Sequence, residues 1–252
     1  MSKISCKVVG SFLDPSGYGD SNRADLVALY TTGIDVTTEI VQQTLATTIY
    51  GCQGALCKHL ENRDIKYKIK LLHLTPDLYL DYYEDGKFHI GRLVWETDKL
   101  PDEWIKPCNM MQEIWTMTEA QKEIIKSSGV TAPIHVFPES LDITNAEKKI
   151  EPWLIPSFNG TIFYSIFQFI ERKDPWSLLT TYWKTFQKGE DVVLILKTYR
   201  NSYSESDFNK IKEDIARWKK GMKQIHFPRV ILIKDLWPMD KIWKLHKMGG
   251  TF

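Results

Sequence analysis

Short apolar runs alternate along the chain with stretches in which apolar residues recur every three or four positions. The short runs are typical of buried strands, and the longer period is typical of helices that pack on one face. The first part of the chain gives strands at 5–12, 34–41, 67–74, 88–95 and 133–137, and helices from about residue 21, at 51–62 and at 118–128. This alternation of β and α predicts a parallel sheet and an α/β fold.

The same rhythm restarts after an interruption. Residues 139–159 contain two prolines and lack a regular apolar period, so we place a domain boundary between residues 150 and 151. Beyond it the pattern gives strands at 161–170, 191–197 and 229–234, and helices at 175–187, 205–220 and 238–247. The chain is therefore expected to hold two α/β domains, 1–150 and 151–252.

Composition fits a packed globular protein and adds a difference between the two domains. The 252 residues are 43% hydrophobic and carry a formal net charge of +1, whereas a general nucleic-acid binder is expected to be basic. Residues 151–252 nevertheless hold 17 Lys and Arg against 11 Asp and Glu, and the rest of the chain holds 16 against 21. The basic half fits an anionic small ligand, although a solvated basic surface gives the same count.

The cysteines and the N-terminus bear on the compartment. The four cysteines form no CxxC pair, and the chain starts with a strand-like sequence rather than a signal peptide. No apolar run reaches the roughly 18 residues that a membrane-spanning helix needs. We therefore expect a cytoplasmic protein with reduced thiols. The six histidines show no metal-ligand spacing, and P-loop and GxSxG motifs are absent, so NTPase and serine-hydrolase functions have no support. We expect no metal and no bound cofactor.

Two glycines follow the first predicted strand. Gly17 and Gly19 flank Tyr18 ahead of the first helix, for which Asp20 or Ser21 is the expected N-cap. A glycine turn at this point lets a ligand approach the backbone, and a helix N-terminus favours anions. The full GxGxxG pattern is missing, so a tight strand-to-helix turn explains the glycines equally well.

Basic residues follow two strands of the second domain. Arg172 and Lys173 come directly after the strand 161–170, and Lys197 ends the strand 191–197. Ligands of open α/β sheets bind at the carboxyl ends of strands, where Arg and Lys suit a diphosphate. The alternative is that all three are solvated, Arg172 and Lys173 in a surface loop and Lys197 at a strand end.

Polar side chains also follow strands of the first domain. Glu96 and Asp98 come at the end of the strand 88–95, where a carboxylate can accept hydrogen bonds from a sugar or a proton from an acceptor hydroxyl. His73 follows an apolar run and is a candidate for a ligand cleft. A solvent-facing Glu96 and a structural His73 are the alternative interpretations.

Several segments carry a resemblance that covers nearly the whole chain. GSFLDPSGYGDSNR, at residues 10–23, is similar to the opening glycine loop of retaining, family-4-like (group 1) glycosyltransferases with the GT-B fold. FIERKDPWSLLTTYWKTF, at 169–186, resembles their donor-site segment, and LWPMDKIWKLHKMGGTF, at 236–252, resembles a helix that follows it. The most specific stretch is 90–142, with its Glu-Thr pair, its Leu-Pro and Trp, a strand, a capped helix and a closing strand.

The resemblance implies two Rossmann-like domains, an acceptor-side domain at 1–150 and a nucleotide-sugar-binding domain at 151–252. It implies transfer of a sugar from a nucleotide-sugar donor to a glycan, lipid or protein acceptor, with retention of configuration. No enzyme nucleophile and no metal are needed, because cations stabilise the departing diphosphate.

Residue roles carry over by position. The resemblance implies that Lys173 neutralises the donor diphosphate with Arg172 and Lys197 beside it, and that Gly17 and Gly19 approach it from the first domain. Glu96 stands where relatives place a cleft histidine, and Glu96 and Lys173 are the catalytic candidates. The acceptor-side candidates are His73, Asp98 and Thr118, of which Thr118 takes the place of a helix-capping serine.

The sequence also departs from the pattern. Phe167 and Gln168 stand where Gly-Arg is usual, and the later acidic E-x7-E motif has no counterpart before Phe252. We therefore expect either a truncated second domain or an exposed apolar surface that a partner or a second copy covers. A catalytically inactive binding or interaction protein on the same scaffold stays an alternative, and a Rossmann dehydrogenase is a weaker one because GxGxxG is missing.

Overall fold

The computed structural model describes residues 4–42, 51–140 and 149–248. The chain divides into two compact units, Met1–Asp142 and Ile143–Phe252. Each unit has a parallel sheet of its own. No helix of the described residues is long and apolar enough to cross a membrane. The end of the chain, where the sequence predicts truncation, lies outside the described residues.

The first unit is built on a six-stranded parallel sheet with the order β2-β1-β3-β4-β5-β6. Its strands are β1 (Ser5–Gly10), β2 (Asp35–Ile40), β3 (Ile69–His73), β4 (Phe88–Arg92), β5 (Glu113–Thr116) and β6 (Ile134–Val136). Its helices are α1 (Gly17–Thr31), α2 (Gly51–His59), α3 (Asp102–Asn109) and α4 (Glu119–Ser127), with a 3-10 helix at Pro76–Tyr82. The chain leaves β1 first to one side and then to the other, so the carboxyl ends of β1 and β3 flank the usual ligand crevice of such sheets.

The two faces of this sheet pack into separate apolar cores. Successive residues of a strand point to opposite faces, and Val8 and Val9 accordingly lie in different cores. The core with Val8 includes Leu26 of α1, and the core with Val9 includes Ile125 of α4. Both faces are therefore covered, which leaves the strand ends as the place where polar side chains can gather.

The second unit is smaller and has a three-stranded parallel sheet with the order β7-β8-β9. Its strands are β7 (Thr161–Gln168), β8 (Val192–Tyr199) and β9 (Arg229–Ile233), and its helices are α5 (Pro175–Thr185), α6 (Glu205–Gly221) and α7 (Met239–His246), with a 3-10 turn at Glu171–Lys173. The middle strand β8 is buried on both faces, which is why its sequence is apolar without alternation.

The predicted fold class is confirmed, since both units are parallel α/β structures and most predicted elements are present. Some boundaries are wrong: α1 begins at Gly17 rather than near residue 21. Strand β4 ends at Arg92 rather than at residue 95, so Glu96 follows the strand end by several residues. Ser16, in extended backbone, caps it by accepting a hydrogen bond from the Gly19 amide at 3.2 Å. Ser21, an expected cap, is buried inside the helix instead. The glycines thus form the first helical turn, which brings the helix N-terminus closer to β1 than expected.

The sequence pattern also missed α3. Pro107 lies inside this helix, and a proline normally interrupts a helical period because it lacks an amide hydrogen. The helix is retained because its C-terminal half is inserted into the core, where Pro107 and Cys108 are buried. Tertiary packing here outweighs the local preference.

Candidate functional site

Charged side chains converge where β3 and β4 end. His73 is the last residue of β3, Arg92 is the last residue of β4, and Asp25 reaches both from α1. The Asp25 Oδ2 atom lies 2.6 Å from Arg92 Nε and 3.5 Å from His73 Nδ1. All three side chains are buried, His73 with 1% of its side chain exposed. These residues, together with Tyr18 and Asn22 of α1, form what we call the switch-point cluster.

Helix α1 is fixed against the end of the sheet by Asn22. The Asn22 side-chain amide donates to the backbone oxygen of His73 at 3.2 Å and to that of Tyr18 at 2.8 Å. A Cβ atom on Gly10 would overlap the Asn22 side chain, so the glycine at the end of β1 permits this approach. The close packing of α1 is what brings Asp25 to Arg92.

Burial controls the charges in the cluster. Burial raises the pKa of Asp25, against the lowering effect of Arg92. Burial, and then the positive charge of Arg92, lower the pKa of His73 to about 3. The imidazole is therefore neutral near pH 7, and Asp25 and Arg92 form the ion pair.

Some polar atoms of the cluster are unsatisfied. Within the described residues, neither ring nitrogen of His73 nor Nη2 of Arg92 has a hydrogen-bond partner. A buried polar atom without a partner costs about 1–3 kcal/mol. Water or the polar group of a ligand that reached these atoms would recover that cost.

Tyr18 is a residue of the cluster on which nearby carboxylate charges act. Burial raises the pKa of Tyr18 to about 12, and the charges of Glu96, Asp77 and Glu139 add to the effect. The Tyr18 ring also lies 5.8 Å from the His73 ring, centre to centre. Of the predicted site residues, His73 is therefore buried beside Tyr18, whereas Glu96 and Asp98 are both exposed on the loop that follows β4.

The two glycines of the predicted loop differ in their surroundings. A Cβ atom on Gly19 would overlap the backbone oxygen of Asp14, so this glycine is needed for α1 to pack. Gly17 is exposed, with nothing within 4 Å of a Cβ atom there. Thr118 is the N-cap of α4, as expected, and accepts from the Gln121 amide at 3.2 Å. Contact of Gly17, Gly19 or Thr118 with a substrate stays a prediction.

In the second unit, a lysine lies near or beyond the carboxyl end of each strand. Lys173 lies exposed in the turn after β7, beside exposed Arg172. Lys197 is near the end of β8 and is 6% exposed. It pairs in register with the last residue of β9, so Lys234, which follows, comes from the neighbouring strand end. We call Lys173, Lys197 and Lys234 the lysine edge.

The surroundings of these lysines differ. The Lys197 Nζ atom lies 5.8 Å from the centre of the Tyr203 ring, within cation–π range. Lys234 forms an ion pair with Glu205 at the start of α6. Sequence reasoning selected Lys173 and Lys197 but missed Lys234, although the same signal, a lysine directly after an apolar run, marks it.

An arginine next to the lysine edge was also missed. Arg200 follows β8 directly, and its Nη2 atom lies 2.6 Å from an Asp214 carboxylate oxygen of α6. Arg200 also lies over the Phe169 ring, 5.8 Å from its centre. It lines a depression of about 270 Å³ with Phe169, Ile170, Glu171, Pro175, Trp176 and Asn201. A basic residue just past a strand end was the signal, the same one that selected Arg172.

No metal site is visible in the part of the chain that the structure describes, where no group of three or more His, Cys, Asp and Glu could hold an ion. A reaction without a metal stays a prediction.

Comparison with known proteins establishes the fold. No protein-family model matches the chain, and no curated protein matches it. Among solved structures, Anabaena HepE in complex with UDP and glucose is 11% identical, with a TM-score of 0.54, over 95% of this chain and 71% of that one. An α-glucosyltransferase in complex with UDP and a 13-mer DNA containing a HMU base is 12% identical, with a TM-score of 0.56, over 99% of this chain and 71% of that one.

At these identities the likeness concerns the fold alone. It confirms the predicted GT-B type of fold with two Rossmann-like domains, the second smaller. The family-4 resemblance, the domain limits at 150 and 151 and the roles of the individual residues stay predictions.

Proposed function

We propose that the protein is a glycosyltransferase that takes a sugar from a nucleotide-sugar donor. The lysine edge is the observation that carries the proposal, because all three strands of the second sheet bring a lysine to the edge where ligands bind. A nucleoside diphosphate carries the opposite charge and matches such a row of cations. The fold supports the proposal, since solved structures of the same fold hold UDP and UDP-glucose.

The donor diphosphate is assigned to Lys173, Lys197 and Arg172. Lys173 and Arg172 are exposed, so a phosphate can reach both side chains. Lys197 is buried and held near Tyr203, so its position changes little on binding. Charge-assisted hydrogen bonds of this kind contribute about 1.5–3 kcal/mol each, and they strengthen as the leaving diphosphate gains charge.

The sugar acceptor is assigned to the switch-point cluster of the first unit. Glu96 is exposed and its charge acts on Tyr18, and its carboxylate can accept a proton or a hydrogen bond from an acceptor hydroxyl. His73 is neutral at physiological pH and offers a ring nitrogen as an uncharged hydrogen-bonding group. The proposed transfer proceeds with retention of configuration and without a metal or a bound cofactor, with Glu96 and Lys173 as its catalytic residues.

Replacement of Lys173 tests the donor site. Calorimetry with UDP and UDP-glucose should show about tenfold or greater loss of affinity in Lys173→Ala, which corresponds to about 1.4 kcal/mol. Lys188→Ala is the matched control: Lys188 is also exposed, but it lies between α5 and β8, at the amino edge of the same sheet. The affinity of Lys188→Ala for UDP and UDP-glucose should stay within about twofold of the wild type, because long-range attraction between exposed charges is weak and screened by salt.

The possible results distinguish the role of Lys173 from the proposed glycosyltransferase function. Equal affinity of Lys173→Ala and the wild type would reject Lys173 as a donor ligand. Failure of the wild type to bind any of the UDP, GDP and ADP sugars would reject the donor class. Binding without hydrolysis or transfer across a panel of acceptors would favour the alternative of an inactive binding protein on the same scaffold.

A further inference from the structure

Three adjoining depressions cross the α5–α6 face of the second unit. The first, of about 270 Å³, lies beside the ends of β7 and β8 and includes Trp176. The next, of about 380 Å³, includes Trp176 and Trp218, and the last, of about 420 Å³, includes Trp218 and the C-terminal end of α6. Trp176 lines both the first and the second depression, and Trp218 lines both the second and the third. We call the three depressions together the tryptophan groove.

The floor of the groove is a row of aromatic rings. The Phe169 and Trp176 rings meet edge to face, with centres 5.2 Å apart, and the Trp176 and Trp218 rings stack with centres 5.0 Å apart. The Trp218 indole nitrogen donates to the Thr180 hydroxyl at 3.0 Å, which fixes the ring. Trp218 nevertheless remains 43% exposed. An indole that is held rigidly and left open to solvent is suited to stacking against a ligand.

Cations predominate along the groove. Lys184 and Lys223 line its outer end, and Arg217 and Arg200 line the middle and inner parts. The carboxylate of Asp214 lies within 2.6 Å of Arg200 and 3.1 Å of Arg217, so it is largely neutralised. The outer end therefore favours an anionic ligand.

We propose that the tryptophan groove binds an anionic oligosaccharide, with one sugar ring stacked on Trp218 and acidic groups next to Lys184 and Lys223. The C–H groups on one face of a sugar ring are weakly positive and complement the negative face of an indole. Three depressions that share lining residues suit a chain of sugars rather than one compact molecule. The choice of a carbohydrate rests on the proposed function, because the inner end of the groove adjoins the lysine edge.

Single-stranded nucleic acid is the competing anionic polymer that stacks on aromatic rings. Its strands bind basic channels with successive exposed aromatic platforms, whereas Phe169 is buried here and only Trp218 among the three rings is widely exposed. The observations therefore favour the sugar chain.

Titration of the full chain tests the proposal. The probe is a hexasaccharide in which uronic acid units alternate with neutral sugar units. It should quench tryptophan fluorescence and bind more tightly than neutral maltohexaose. Oligo-dT of the same length should bind more weakly than either saccharide. Trp218→Ala should weaken hexasaccharide binding about tenfold or more. Tyr30→Ala is the matched control, because Tyr30 is an aromatic residue of α1, in the first unit, with 45% exposure, and it should bind like the wild type.

A second variant keeps the test independent of the tryptophan's part in folding. The double change Lys184→Gln and Lys223→Gln alters two exposed side chains and should reduce binding of the acidic hexasaccharide severalfold while leaving maltohexaose binding unchanged. Preference for oligo-dT, binding of neither saccharide, or equal affinity of Trp218→Ala and the wild type would each overturn the groove proposal.

Measuring UDP binding alongside separates the two proposals. Intact UDP binding in a chain that binds no saccharide overturns the groove and leaves the donor site standing. Saccharide binding in a chain that binds no nucleotide sugar supports the groove and rejects the transferase. In Trp218→Ala, UDP affinity should stay within about twofold of the wild type, because the groove and the lysine edge are assigned to different ligands.

Discussion

Acid should destabilise the first unit through His73. The folded chain lowers the pKa of this histidine from 6.5 to about 3, whereas an unfolded chain leaves it near its usual value. A group with a lowered native pKa contributes stability that is complete above its unfolded pKa and is lost as the pH falls towards the native pKa. For each pH unit below the unfolded pKa, the free energy of unfolding falls by about 1.4 kcal/mol. Between about pH 7.5 and pH 5, His73 should therefore remove about 2 kcal/mol from the free energy of unfolding.

The assay compares urea unfolding of the wild type and His73→Gln at both pH values. The wild type should lose about 2 kcal/mol more than the variant, because glutamine does not titrate. Hydrogen exchange of the β3 amides assigns the change to the first unit. His59→Gln, at an exposed histidine of α2, should lose as much stability as the wild type. Equal losses in the wild type and His73→Gln would refute the reasoning, since they would show that folding does not change the titration of His73.

Two further substitutions probe the packing around the same cluster. Gly19→Ala should lower the free energy of unfolding by more than about 1 kcal/mol, because the new Cβ overlaps a backbone oxygen. Gly17→Ala should change it by less than about 0.5 kcal/mol. Urea unfolding measures both variants, and equal effects would contradict the packing of α1. Arg92→Leu should cost about 3–5 kcal/mol by leaving Asp25 buried without its partner, and the double change Asp25→Leu with Arg92→Leu should cost less. A double variant less stable than Arg92→Leu would contradict the ion pair's assigned role.

The order of strands and helices followed closely from sequence, and the exceptions depend on contacts elsewhere in the fold. The pattern of apolar residues alone gave no strand at β5, which has only four residues; the resemblance implied it. The start of α1 was wrong because Ser16 and not Ser21 adopts the extended backbone of a cap. Both cases turn on contacts with the rest of the fold, which a window of sequence does not contain.

Residues of the candidate sites could be predicted where a polar side chain follows an apolar strand, because ligands of open α/β sheets bind at the carboxyl ends of strands. This pattern selected Lys173, Lys197 and His73, all of which lie at carboxyl ends of parallel strands. It did not select Asp25 or Arg92, because an acid within a helix and a base within an apolar strand usually reach solvent. Their burial depends on α1 packing against the end of the sheet.

The sequence by itself determined the fold class and the edges at which chemistry can occur. Apolar periodicity is a local property, so it sets which segments become strands and helices and where each strand ends. Only the tertiary structure decided which polar groups meet there. The strand order places β3 beside both β1 and β4, and that packing joins Asp25, His73 and Arg92 across long stretches of chain. Exclusion of water from the resulting cluster then sets the charge of His73, which no sequence pattern encodes.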